Sequence, residues 1–373
     1  MLTAQWTRKL PLIQQTAPAK LAARLIHTFL DDFPDIDTEQ YFVIDFCSGA
    51  GGKRISYVHA VRAPASNAPE TGLPATISAN FQNWSETESC YSQAWGRWER
   101  MQRLLIMGHR PQREHRVYTQ SDGDTLLKHL TIHTPRPTPL IEKTVNEARA
   151  RAGHQAIPFR LSDFHPNLDA WMPLATHSAN LSFIPQPVDA TDTLHAPPLV
   201  VSKTSSMPNS TGDHKSIHLY NLSFHHFADA DAARIMASTL TTADGLAIIE
   251  LQDRTLGMFL LMAGEFFLLF LLTIFWFPYS PLHLFSTYII PVLPFVQAWD
   301  GLVSCLRTRT FEETLALAEN ALGEKAKLVS SENTGIGEKV TVAICGDWKF
   351  VGVRRLHTWP FGYMNAFLGQ KRL

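Results

Sequence analysis

Residues 43–52 read Val-Ile-Asp-Phe-Cys-Ser-Gly-Ala-Gly-Gly. An apolar β-type run stops at Asp45 and a glycine-rich turn follows at once. Open α/β sheets bind nucleotide-like ligands at such junctions, outside the carboxyl ends of the strands. Glycine belongs there because a Cβ would collide with a closely approaching ligand. Two phosphate-binding patterns fail on this stretch. A P-loop needs Gly-x-x-x-x-Gly-Lys-Ser/Thr, and Gly52-Lys53 is present, but Cys47 occupies the first glycine position and Arg54 replaces the hydroxyl. A dinucleotide fingerprint is met at Gly49 and Gly51 and broken by Arg54 at its third position.

Asp45-Phe-Cys47-Ser-Gly49-Ala-Gly51 resembles the first motif of class I S-adenosylmethionine-dependent methyltransferases, an acid followed by small residues and alternating glycines. That ligand has no phosphate, so the lost lysine–hydroxyl pair costs nothing. An acid at the strand end suits its cationic methionyl portion. Cys47 departs from the usual glycine. An ordinary glycine turn after a buried strand is the competing reading of the motif by itself.

Further segments fit the same sheet. Residues 158–163 read as a second strand ending at Asp163, where a ribose hydroxyl pair would be held. Residues 181–190 read as the third, ending at Asp189 beside the expected adenine. Residues 217–224 form the fourth, followed by His225-His226-Phe227, and 245–250 the fifth, ending at Glu250. Helical spacing covers 138–152, through Leu140, Ile141, Val145 and Ala148. It also covers 229–240, where early aspartates favour the helix N-terminus. Strand–helix alternation argues for an α/β fold with a mostly parallel sheet. With Trp299-Asp-Gly-Leu-Val-Ser-Cys-Leu-Arg-Thr, these stretches resemble the methyltransferase family over residues 20–52 and 137–320. The resemblance implies a doubly wound, seven-stranded, Rossmann-like sheet. It also implies S-adenosyl-L-methionine as cofactor, held by Asp45, Cys47, Gly49, Gly51, Asp163 and Asp189. It fades after about residue 335, where 340–345 and 348–353 read as late strands and the last twenty residues do not align.

Residues 53–136 interrupt that pattern. They separate the glycine loop from the first family helix and are rich in Pro, Ser, Asn, Gln and Arg. So long a loop is uncommon inside a compact domain. A short helix over 92–107 mixes Trp95 and Trp98 with Arg97, Arg100 and Arg103, a pattern nucleic-acid binders share. The neighbouring acids and a net charge of −1 favour a solvated, disordered insertion over a groove binder, so no nucleic-acid partner is expected. Another reading makes the segment retained non-coding sequence, which sequencing the mature transcript decides.

Residues 256–277 are apolar except for Glu265, and 282–296 form a second apolar patch broken by Pro291 and Pro294. At about 1.5 Å per residue the first stretch is long enough for a bilayer core. A transmembrane or re-entrant anchor, an interfacial lid over a lipophilic substrate, and a buried core helix all stay open. The resulting domain division is 1–52 (first helix, strand and loop), 53–136 (insertion) and 137–255 (remaining α/β core). The apolar segment, 256–299, and the C-terminal helix and strands, 300–373, complete it.

The 45% hydrophobic content of 373 residues supports a sizeable core, as one large domain or two small ones. Four dispersed cysteines without Cys-x-x-Cys suggest neither zinc nor a disulfide framework, and sixteen histidines show no ligand spacing. The first residues lack an apolar signal core. The expected setting is therefore intracellular, membrane-associated, or cytoplasmic if 256–277 is a lid. If the resemblance holds, a small, lipophilic acceptor attacks an activated methyl group, with His225 or His226 as catalytic base. On a strand end these two rings would point to opposite sides. The alternative is a catalytically inactive, membrane-associated relative whose cofactor loop the insertion disrupts.

Overall fold

The computed structural model describes residues 9–10, 13–38, 40–46, 137–195 and 215–372, which belong to one folded unit. Cys47, Gly49, Gly51, the insertion and the helix read over 92–107 lie outside the described residues.

The chain forms α1 (Pro18–Asp31), β1 (Tyr41–Phe46), α2 (Pro137–Arg151), β2 (Phe159–Leu161), α3 (Leu168–Ala175) and β3 (Leu181–Phe183). Then come β4 (Lys215–Asn221), α4 (Asp229–Thr242), β5 (Gly245–Glu250), α5 (Leu256–Trp276) and α6 (Pro281–Leu284). They are followed by α7 (Val292–Arg307), α8 (Phe311–Leu322), β6 (Lys327–Gly335), β7 (Glu338–Cys345), β8 (Trp348–Thr358) and β9 (Gly362–Lys371). Among the described residues the strands make one nine-stranded sheet in the order β3-β2-β1-β4-β5-β9-β8-β7-β6.

The first five strands in that order are mutually parallel. Every residue of β1 and β5 is buried, as expected of strands covered on both faces, which therefore read as unbroken apolar runs. Alternate residues serve opposite layers. Val43, Ile217, Leu219 and Ile249 pack with α1 and α2, whereas Ile44, Tyr220, Leu246 and Ile248 pack with α4 and α8. Helix α1 begins with Pro18 at its first turn, where the missing N–H costs nothing, and buries Ala19, Ala22, Ala23, Ile26 and Leu30 along one stripe.

The α/β class expected from the sequence holds, but the sheet is mixed, with nine strands rather than seven mostly parallel ones. From β5 onward, β9, β8, β7 and β6 pair antiparallel. Tight turns through Gly337 and Gly346, both at positive φ, produce this meander without crossover helices. The third strand also stops at Phe183 rather than running to Asp189. Pro185 and Pro187 have no N–H to give a ladder.

Candidate functional site

Residues at the carboxyl edge of the parallel strands come from all five of them. Asp45 lies one residue from the end of β1 and is 2% exposed. Its Oδ2 accepts the Thr138 hydroxyl at 2.6 Å, so the carboxylate engages the first turn of α2, the end of a helix that favours an anion. The backbone carries the edge onward. Ser162 N–H donates to the Asp45 carbonyl at 2.9 Å, and Val188 N–H donates to the Asp163 carbonyl at 3.0 Å. Asp45, Asp163 and Asp189 therefore lie along one hydrogen-bonded edge.

Their side chains differ in employment. Asp163, two residues past β2, accepts the His165 N–H at 2.9 Å. Asp189 is exposed and accepts both the N–H and the hydroxyl of Thr191 at 2.8 Å. Each closes its own Asx-type turn.

On the other side of β1 the edge carries a base-like pair. Ser223 to Phe227 leaves β4 through a short 3-10 turn, Phe224–His226, and not as a continuing strand. Successive side chains in such a turn are separated by about 120°, so the histidines do not diverge as strand neighbours would. Their ring centroids are 4.0 Å apart, which corrects the expectation of opposite sides. His225 is buried and His226 exposed.

Glu250, the last residue of β5, grips His225 twice. Its Oε1 accepts the His225 N–H at 3.0 Å and its Oε2 meets Nδ1 at 2.7 Å. Both side chains are buried, at 5% and 7% exposure. With Glu250 ionised, Nδ1 donates and Nε2 is left as the proton acceptor. The surrounding frame is tied down by arginines. Arg307 Nη2 donates to the His226 carbonyl at 3.0 Å, and Arg309 donates to the Phe227 carbonyl at 2.9 Å and to Asp229 Oδ1 at 2.7 Å.

Two buried oxygens next to this pair, Asn221 Oδ1 and Ser223 Oγ, have no hydrogen-bond partner among the described residues. Buried polar atoms are normally satisfied, so these mark a place where a polar guest or water belongs. Register puts Asp45 level with Leu219 and Asn221 level with Ile249, so β1, β4 and β5 end together. The sequence reading missed Glu250 as partner of His225, although Glu250 was visible as the acid closing the fifth strand.

At the opposite, amino edge a cleft of about 210 Å³ is lined by Asp35, Tyr41, Lys215, Asp244 and Lys371. A Lys215–Asp35 ion pair closes part of it. No group of three His, Cys, Asp or Glu among the described residues is arranged to hold a metal ion.

No protein-family model and no curated protein matches the chain. Among solved structures it is similar to LepI in complex with SAM, at 12% identity over 61% of this chain and 39% of that one, with a TM-score of 0.27. An O-methyltransferase family protein from Burkholderia thailandensis matches at 11% identity over 62% and 48%, with a TM-score of 0.29. A protein assigned as a Zn-dependent alcohol dehydrogenase from Rhodobacter sphaeroides matches at 13% over 63% and 82%, with a TM-score of 0.28. The chain spans less than two-thirds of the first two. Likeness this remote assigns neither family nor activity.

Proposed function

We propose that the chain is an S-adenosylmethionine-dependent methyltransferase acting on a small, lipophilic acceptor. The observation that carries the reading is the buried His225–Glu250 pair, set at the same strand edge as Asp45. A ligand with an ammonium group, ribose hydroxyls and an exocyclic amino group suits what this edge offers. Asp45, Asp163 and Asp189 supply acceptors, and Asn221 Oδ1 and Ser223 Oγ are buried oxygens awaiting a partner. Cys47, Gly49 and Gly51, which follow β1 in the sequence, are the remaining proposed cofactor contacts.

When bound, the cofactor supplies an electrophilic methyl group. The protein's part is to align the acceptor and take its proton. With the cofactor bound, Nε2 of His225 would receive the acceptor proton while the acceptor–carbon bond replaces the methyl–sulfur bond and the demethylated product leaves, and Glu250 would hold the ring through Nδ1. His226, exposed beside it, lines the approach to His225.

Thermal shift or calorimetry of the full chain with S-adenosylmethionine and its demethylated product tests this. Saturable stabilisation at micromolar ligand is expected, and a ligand at 100 times its Kd raises stability by about 2.7 kcal/mol. Asp45→Ala should abolish the response. Folded wild-type protein that ignores both compounds would leave a catalytically idle relative instead.

A further inference from the structure

We infer that α5 and α7, with the broken segment between them, form a re-entrant hairpin that enters one leaflet of a lipid bilayer from the side of the sheet and returns to it. The proposal does not depend on methyl transfer. Of the described helices, α5 is long and apolar enough to cross a membrane. Its environment shows which geometry applies.

Both feet of the excursion are fixed to the same unit. α5 begins six residues after Glu250, and Arg254 just before it pairs with Glu313 of α8 at 2.8 Å. α7 ends at Arg307, bonded to the His226 carbonyl. A single crossing is therefore ruled out by connectivity, because the chain must come back.

The limbs pack against each other along their length. Near the feet a Cβ on Gly301 would sit 2.7 Å from Met262 Sδ. Towards the tip, Tyr288 donates its hydroxyl to the Phe270 carbonyl at 2.5 Å, and the Thr287 and Thr273 hydroxyls meet at 3.4 Å.

The widest apolar stripe of this hairpin faces outward, unlike that of a water-soluble one. The buried face mixes Leu269, Phe277 and Ala298 with Glu265, Thr273 and Gln297. The outward face presents Phe267, Leu271, Phe275, Leu282 and Ile289, each more than 60% exposed. Water-soluble helices bury the apolar stripe, whereas polar-in and apolar-out is the arrangement of helices solvated by lipid. Several polar side chains towards the tip bond within the hairpin, as hydrocarbon favours. Ser280 Oγ meets His283 Nδ1 at 2.6 Å, Ser286 donates to the Leu282 carbonyl at 2.6 Å, and Thr273 donates to the Leu269 carbonyl at 2.7 Å.

Depth follows from charge. Residues 266–299 contain no Asp, Glu, Lys or Arg, with Glu265 on α5 and Asp300 on α7 bounding the stretch. From Phe266 to the end of α5 at Trp276 the helix rises about 16 Å, close to half of a hydrocarbon core about 30 Å thick. The return limb is not a straight span either, since Pro281–Ile289 and Val292–Arg307 are bent by 81°. One leaflet accommodates this shape.

Flotation of the full chain with neutral phosphatidylcholine vesicles, in high salt, is the first test, since a net charge of −1 gives no electrostatic pull. Binding that persists is expected. The triple variant Phe267→Lys, Leu271→Lys and Phe275→Lys, all at exposed positions, should keep its circular dichroism and bind at least about tenfold less. The second test places a thiol at the exposed tip with Tyr279→Cys, with the parent protein as background for native thiols. An impermeant maleimide should fail to add signal from either side of the vesicle and succeed in detergent. Labelling from the lumen would mean a full crossing and overturn the one-leaflet geometry. Absence from vesicles, with a discrete dimer in detergent-free solution, would assign the face to a second copy and overturn the proposal altogether.

Discussion

His225 owes its direction to Glu250. A ring held at Nδ1 and at its own backbone N–H by one carboxylate has a fixed tautomer, so the two residues act as a unit. His225→Asn should lower kcat by about 10²–10⁴-fold with little change in cofactor affinity, if proton removal accompanies methyl transfer. Glu250→Gln should lower kcat less. A kcat unmoved by Glu250→Gln in folded protein would show that the pair only holds the strand ends together. Two other histidines behave differently. Burial pushes His218, between Phe46 and Thr239, down to about 3. Burial also lowers His357 to about 4, opposed by its bond to the Leu251 carbonyl and by Asp253. Both are therefore neutral in the folded protein. Unfolded histidine protonates below about 6.5 while these two resist, so stability is fully present above that pH and is lost as pH falls towards 4 and 3. Between pH 7 and 5 each should cost about 2 kcal/mol. Urea midpoints at the two pH values measure this, and His218→Asn should remove about one histidine's share of the slope.

Helix α8 shows how much of an element a few residues can write. Thr310 Oγ1 accepts the Glu313 N–H at 3.2 Å, Glu313 Oε2 accepts the Thr310 N–H at 2.9 Å, and Gly323 ends the helix at φ +70°. Thr310→Ala should cost about 1 kcal/mol, read as a lower urea midpoint with unchanged slope. Such local signals made α2, α4, α5, α8, β1 and β5 legible from the chain. β6 was not legible, because Lys327–Gly335 is an exposed edge strand with almost no buried residue to impose a pattern. β9 escaped for the opposite reason. Gly-Tyr-Met-Asn-Ala-Phe-Leu-Gly buries side chains on both faces, so no alternation announces it. At the site, Asp45 and the histidines carried recognisable types at strand ends. The His225–Glu250 contact spans 25 residues of sequence and depends on β4 pairing with β5, which no local pattern encodes. The direction of the two histidine rings was misjudged because a turn replaced the last residues of the fourth strand.

Taken whole, the molecule joins two halves built by different rules. The parallel half relies on helices to cover both faces, and the meander half on tight glycine turns. They meet where β9 pairs with β5 from Gly245↔Gln370 to Glu250↔Asn365. β9 follows every other described element in the chain, yet it sits at the seam. During synthesis, then, the flank of β5 waits open while more than a hundred residues leave the ribosome, including the apolar 256–296 stretch. An unfilled strand flank beside so greasy a segment invites sticking to other nascent chains. A stop before Gly362 would make that hazard permanent, so a chain shortened by those last residues should collect in inclusion bodies even though most of its interior is intact.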